Sequence, residues 1–170
     1  MHENKTLLSP KTIEIIEHWK TKYPEKEKRS AVIAALTATQ EQNHGYLTTE
    51  LMDAVAEYLD LPKIWVYEVA TFYDMYDIKP AGKHKIRVCT NISCMLRGSD
   101  EITTHLKNKL GIDFNETTPD DLFTLKEAEC LAACTGAPMM QVDLDYHENL
   151  SAEKVDQIID ELTRVNSKCN

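Results

Sequence analysis

The sequence predicts an α+β protein of two domains, a helical bundle over residues 1–80 followed by a mixed α/β domain over 81–170. Three observations carry this. The first 80 residues show helical periodicity and hold no cysteine, whereas all five cysteines lie beyond Lys79–Pro80–Ala81–Gly82. That Pro- and Gly-bearing run punctuates the chain. Directly after it, polar and apolar residues begin to alternate as in a strand. A length of 170 residues accommodates two small domains.

In the first half, Ser9–Pro10 opens a helix, with Ser as N-cap and Pro at the first helical position. Ile13, Ile16 and Trp19 fall on or near one face. A second helix over about 30–42 turns Val32, Ile33 and Leu36 inward, and Gly45 breaks it. Thr48 or Thr49 caps a third, with the stripe Leu51, Met52, Val55 and Leu59. Pro62 opens a fourth, in which Trp65, Val69, Phe72, Tyr73 and Tyr76 recur with helical periodicity and are expected to be core. Short loops between amphipathic helices make a small bundle.

In the second half, His84–Cys89 reads as a strand ending at a cysteine. A helix over 99–110 follows, with Ile102, Leu106 and Leu110 on one face and Gly111 as its stop. Phe123–Glu127 alternates again and leads into a loop carrying Gly and Pro. Met139–Asp143 forms a further strand, with 144–149 pairing back as a hairpin. Ser151 caps a last helix whose stripe is Val155, Ile158, Ile159 and Leu162. The result is a sheet with helices packed on it.

Composition narrows the function. With 42% hydrophobic and 28% charged residues the chain is an ordinary globular protein. A net charge of −9 argues against nucleic acid and anionic membranes as partners, and suits a partner with a basic face. The segment MHENKTLLSPKTIEIIEHWK reads as neither a secretory signal nor a transit peptide. No stretch approaches the length of a membrane span, so no direct membrane insertion is expected. A cytoplasmic location follows as the expectation, where cysteines bind metal or do redox chemistry more often than they form disulfides.

Four cysteines fall in two short pairs, Cys89 with Cys94 and Cys130 with Cys134, each in a loop just after an expected strand. Such loops gather at one end of an α/β sheet, so four thiolates can converge. A [2Fe–2S] cluster takes two thiolates per iron and suits these longer intra-pair loops. Zinc also takes four thiolates, usually on C-x2-C turns, and stays open on spacing alone. A thioredoxin-type dithiol needs C-x-x-C, which neither pair has. Thr90, Asn91 and Ser93 can turn backbone N–H groups toward sulfur, or serve as plain turn residues. Cys169 has no near partner and reads as an incidental thiol.

The run from Val88 through Cys89-Thr90-Asn91-Ile92-Ser93-Cys94 to Met95-Leu96-Arg97-Gly98 resembles the first cluster loop of the E-subunit family of NADH-quinone oxidoreductase, or respiratory complex I. Glu129-Cys130-Leu131-Ala132-Ala133-Cys134, followed by Ala137-Pro138, resembles the second. The likeness extends through Gly111-Ile112, Glu116-Thr117-Thr118 and Phe123-Thr124-Leu125, and in the helical half through Val66-Tyr67-Glu68-Val69-Ala70-Thr71-Phe72-Tyr73. It implies a thioredoxin-like domain carrying one [2Fe–2S] cluster. It further implies that Cys89 and Cys94 hold one iron while Cys130 and Cys134 hold the other. The implied partners are an NADH-binding flavoprotein subunit that carries FMN and the other peripheral-arm subunits. The complex would then place the chain at the cytoplasmic face of the membrane. Where the family commonly has Gly, this chain has Ala132, whose Cβ limits positive φ and adds bulk near the cluster.

His84 is weighed as a Rieske-type ligand and set aside, because four cysteines already suffice. Arg97 is read either as docking an acidic partner or as balancing the cluster's charge, and Gly98 as ending the loop. No phosphate-cradling Gly motif and no nucleophile–base arrangement is present. The chain reads as a non-catalytic redox subunit of an NADH:quinone oxidoreductase. The alternatives are the equivalent diaphorase subunit of an NAD-linked hydrogenase or formate dehydrogenase, a free-standing thioredoxin-like ferredoxin, and a zinc-stabilised binding module.

Overall fold

The computed structural model describes residues 7–169, with side chains through Ser167. The chain divides into two compact units, Met1–Pro80 and Ala81–Asn170. Among the described residues no helix is long and apolar enough to cross a membrane.

The first unit holds four α-helices: α1 (Pro10–Lys20), α2 (Val32–Gln42), α3 (Thr49–Leu59) and α4 (Lys63–Phe72). Ser9 Oγ accepts from Thr12 N–H at 3.1 Å, which satisfies one of the free amides at the start of α1. Gln42 Oε1 accepts from Ser9 N–H at 2.7 Å and from Thr12 Oγ1 at 2.8 Å, tying the start of α1 to the end of α2. The charged run Glu25–Ala31 lacks an apolar stripe and forms 3₁₀ turns, so α2 begins only at Val32. Thr48 Oγ1 caps α3 by accepting from Leu51 N–H at 3.3 Å. Ile16, Val32, Leu36, Leu47, Val55, Leu59 and Val66 form the centre of this unit's core. Each contributes about 1.5–3 kcal/mol by leaving water.

Two expectations about faces are corrected. Ile33 is exposed, and with Trp19 it lines a shallow surface groove instead of the core. In α4 the buried positions are Val66 and Ala70, while Trp65 is 37% and Phe72 79% exposed. The helix ends at Phe72, so Tyr73 and Tyr76 do not continue it. The small side chains let α4 pack closely, and its larger residues have polar or cationic partners outside. Tyr67 donates to Asp53, Lys63 pairs with Asp53 at 2.6 Å, and Arg29 lies 4.7 Å from the Trp65 ring. Tyr76 is core nonetheless, and its hydroxyl donates to the Ile33 carbonyl at 2.8 Å.

The second unit is built on five strands: β1 (His84–Cys89), β2 (Glu116–Thr117), β3 (Phe123–Ala128), β4 (Met140–Val142) and β5 (Asp145–His147). Its helices are α5 (Ile92–Met95), α6 (Ser99–Leu110) and α7 (Ala152–Cys169). The sheet order is β2-β3-β1-β4-β5, with β1 parallel to β3 and the other pairs antiparallel. Central β1 is followed by α6, the crossover that makes a parallel neighbour possible. Ile86 and Val88 point to one face, where Ile102 and Leu106 of α6 and Val155 and Ile159 of α7 cover them. His105–Asp156 and Lys109–Asp160 pairs, both at 2.9 Å, join the outer edges of α6 and α7. The helix α6 stops at Gly111, whose φ of 69° suits glycine. Two elements escape sequence reading: the two-residue edge strand β2, and the single-turn helix α5 around Cys94.

Candidate metal centre

Parallel neighbours run out at the same end of a sheet. In β1 and β3 the register sets His84 opposite Phe123 and Cys89 opposite Ala128. Cys89 therefore closes its strand where β3 is about to release the loop carrying Cys130. The Asn91 side chain accepts from Ile92 N–H at 2.7 Å and caps α5. That turn carries Cys94 inward, to 1% exposure, and leaves Ile92 and Leu96 in solvent. Gly98, at φ 92°, then redirects the chain into α6.

The second loop is held differently. Ala132 sits at φ 58°, and its N–H donates to Cys130 Sγ at 3.3 Å. Cys134–Gly136 forms a 3₁₀ turn, followed by a cis Ala137–Pro138 peptide. Asn149 N–H donates to the Gly136 carbonyl at 2.6 Å and Leu150 N–H to that of Pro138 at 2.9 Å. Gly136 is required here, because a Cβ would collide with the Glu148 side chain. The two loops meet through Cys89 N–H, which donates to the Met139 carbonyl at 3.2 Å.

Cys89, Cys94, Ala137 and Met139 form a small buried cluster, against which Leu131 and Ala133 pack. Cys130 and Cys134 stand at its exposed side. Burial pushes the Cys94 thiol up to about 11, and its hydrogen bond with Cys89 and the nearness of Cys134 act in the same direction. The Met139 amide, donating to Cys94, pulls the other way. Cys94 is thus bonded to Cys89 and lies within electrostatic reach of Cys134. Cys130 belongs to the same loop as Cys134 and is likewise exposed.

Among the described residues no group of three or more His, Cys, Asp or Glu side chains is arranged to hold a metal ion. A two-iron cluster divides its ligands in pairs over a wider rhomb. The donor set offered by the two loops, soft thiols with apolar neighbours at Cys89 and Cys94 and amide donors at Cys94 and Cys130, fits such a cluster in softness and hydrogen bonding. Bound iron would also supply the positive charge that a thiolate needs at buried Cys94.

His84 lies at the far end of β1 from Cys89, with Nδ1 2.8 Å from Asp143 Oδ2, and is not brought to the cysteines. The side chain of Cys169 lies outside the described residues. The N–H donors found at sulfur belong to Ala132 and Met139. Thr90 N–H goes to the Ala128 carbonyl at 3.1 Å, and Ile92 N–H to the Asn91 side chain. No local signal marks Met139, which acts through its backbone; Ala132 is marked by its place between two cysteines.

The family model of the thioredoxin-like [2Fe–2S] ferredoxins matches residues 16–163. The chain belongs to this family. As a thioredoxin-like [2Fe–2S] ferredoxin it carries one [2Fe–2S] cluster as its cofactor. The chain is 47% identical over 152 residues to the E subunit of NADH-quinone oxidoreductase of Rickettsia bellii, covering 89% of this chain and 91% of that protein. It is 45% identical over 147 residues to the E 2 subunit of NADH-quinone oxidoreductase of Rhizobium meliloti, covering 86% of each. In three dimensions it shares its fold with part of an NAD+-reducing [NiFe]-hydrogenase in the air-oxidized state, at a TM-score of 0.66 and 19% identity. That likeness covers 76% of this chain and 22% of the hydrogenase chain. Among the described residues seven non-glycine positions have positive φ, and Ala132 is the one that is not His, Asp or Asn. A non-glycine residue in the left-handed region costs about 1–2 kcal/mol.

Proposed function

We propose that this chain is the electron-transfer subunit of an NADH-quinone oxidoreductase, with Cys89, Cys94, Cys130 and Cys134 as ligands of its [2Fe–2S] cluster. In this reading Cys89 and Cys94 hold one iron and Cys130 and Cys134 the other. The cluster exchanges single electrons with FMN on the adjacent NADH-binding flavoprotein subunit. The observation that carries the ligand assignment is the parallel register of β1 and β3, which releases both cysteine pairs at one end of the sheet.

The chain's own part is to bind, bury and orient. Cys89 and Cys94 anchor the inner side in the pocket of Ala137 and Met139, which excludes water. Cys130 and Cys134, on the exposed side, are the natural face toward an electron partner. Amide donation from Ala132 and Met139 to sulfur raises the reduction potential.

The extent and identity of the match to the E-subunit relatives favour a quinone-linked complex over an NAD-linked hydrogenase or formate dehydrogenase. They also favour attachment to the cytoplasmic face of the membrane through the complex. The additional helical unit, Met1–Pro80, argues against a free shuttle, since a shuttle needs only the cluster-bearing unit. Co-purification from native membranes tests this reading. Recovery with a flavoprotein that oxidises NADH supports it, and recovery as a free monomer that reduces several soluble partners contradicts it.

A further inference from the structure

Arg97 follows Cys94 by three residues, and its N–H donates to the Cys94 carbonyl at 3.0 Å, closing the turn that carries this cysteine. Its exposed side chain lies back along the surface onto the second loop. Nη1 donates to the Ala137 carbonyl at 3.1 Å and lies 3.5 Å from the Thr135 carbonyl. These two carbonyls belong to the segment that starts at Cys134. Alternate carbonyls in that segment have alternate partners. Gly136 and Pro138 accept from Asn149 and Leu150, whereas Thr135 and Ala137 accept from Arg97.

We propose that Arg97 is a positioning residue that clamps the second cysteine loop to the first and holds a fixed positive charge on the segment that follows Cys134. The proposal rests on the assignment of the four cysteines as cluster ligands. Both partners of the guanidinium are neutral carbonyls, so they leave its charge uncancelled. Charge-assisted bonds of this kind are among the stronger ones, and both leave from one nitrogen, Nη1, of a planar head that is longer and more pre-organised than a lysine ammonium. One-electron reduction adds a unit of negative charge at the site, and a nearby cation favours the reduced form. Arg97 therefore acts twice: it restrains the loop, and it raises the potential.

The test uses the full-length chain with its cluster assembled, as wild type, Arg97→Gln and Arg97→Lys. The midpoint potential is followed by EPR during redox titration, and cluster loss to an iron chelator is followed by absorbance. Arg97→Gln is expected to lower the potential and to quicken cluster loss at least about tenfold. Arg97→Lys, which keeps the charge but has a shorter side chain without the planar head that places Nη1 on both carbonyls, is expected to hold the potential near wild type while still quickening loss. An unmoved potential in Arg97→Gln overturns the proposal, as does an equal fall in both variants. Wild-type cluster retention in Arg97→Lys overturns the clamp, and that arm stands even if Arg97→Gln fails to assemble. A wild-type chain that takes up no two-iron cluster overturns the ligand assignment itself, whereas a normal wild-type cluster with unmoved variants overturns only the role of Arg97.

Discussion

Cys89 faces Ala128 across the parallel β1–β3 pair, as the last residue of β1 opposite the last residue of β3. Because both strands end level, each cysteine loop starts from the same edge of a rigid sheet, and the site needs no long excursion by either. The two loops differ in depth. Cys89 and Cys94 are buried with Ala137 and Met139, while Cys130 and Cys134 are exposed.

This difference in depth predicts an order of reactivity in the iron-free protein. Cys130 and Cys134 should be alkylated before Cys89 and Cys94 at neutral pH. Cys94 should react last, because burial hides its sulfur and holds its thiolate fraction down. Mass spectrometry of peptides after timed exposure to iodoacetamide reads the order, and early modification of Cys94 would contradict it.

Ala132 offers a stability test. At φ 58° its Cβ is strained, and its side chain is exposed, so little packing is lost on removing the methyl. Ala132→Gly relieves about 1 kcal/mol of strain, offset in part by about 0.5 kcal/mol of added chain entropy in the unfolded state. Thermal unfolding followed by circular dichroism should rise by a few degrees in the glycine variant. It should fall in Ala132→Val, whose branched side chain tolerates that conformation less.

The faces of α4 give a third comparison. Val66→Ala removes fully buried methyl groups and should cost about 1–3 kcal/mol. Phe72→Ser, at a position 79% exposed, should change stability by less than about 0.5 kcal/mol. Denaturant midpoints of the two variants check this. A larger loss from Phe72→Ser would restore the aromatic stripe to the core.

These cases show where residue patterns suffice. Ser9, Thr48 and Gly111 end or start helices by local chemistry, so they are legible one by one. The stripes of α3 and α7 are also plain, because their opposite faces are polar. In α4 apolar residues lie on most sides, so periodicity fixes the helix but not which side turns inward. The choice of Val66 and Ala70 depends on how closely α3 approaches, and on partners such as Asp53 and Arg29 far along the chain. The cysteine pairs are legible from spacing. The bonds from Met139 and Arg97 are not, since each spans roughly forty residues and has a backbone atom at one end, the Met139 amide or the Ala137 carbonyl, which carries no residue signature.

The contact between α6 and α7 predicts an acid dependence. His105 and then Lys109, bonded to Asp156, hold its carboxyl below the ordinary value of 3.8. The folded state therefore binds that proton less readily than the unfolded chain. The stabilisation is fully present above the unfolded value and is lost as pH falls through the lower folded one, in the range below about pH 4. Asp156→Asn should flatten the fall of the unfolding midpoint over that range. Added salt should shrink the difference between variant and wild type, because these groups are exposed. Equal acid limbs for the two proteins would contradict the assignment.

The most direct test of the central claim is low-temperature EPR of the anaerobically purified, dithionite-reduced chain, with iron, sulfide and zinc assayed on the same sample. A [2Fe–2S] cluster gives a spin-one-half signal with g values averaging below about 2 and about two irons per chain. That signal is expected to be lost in Cys→Ser variants at 89, 94, 130 or 134, but not at Cys169. About one zinc per chain with no iron after reconstitution, or an equal loss from Cys169→Ser, would contradict the claim.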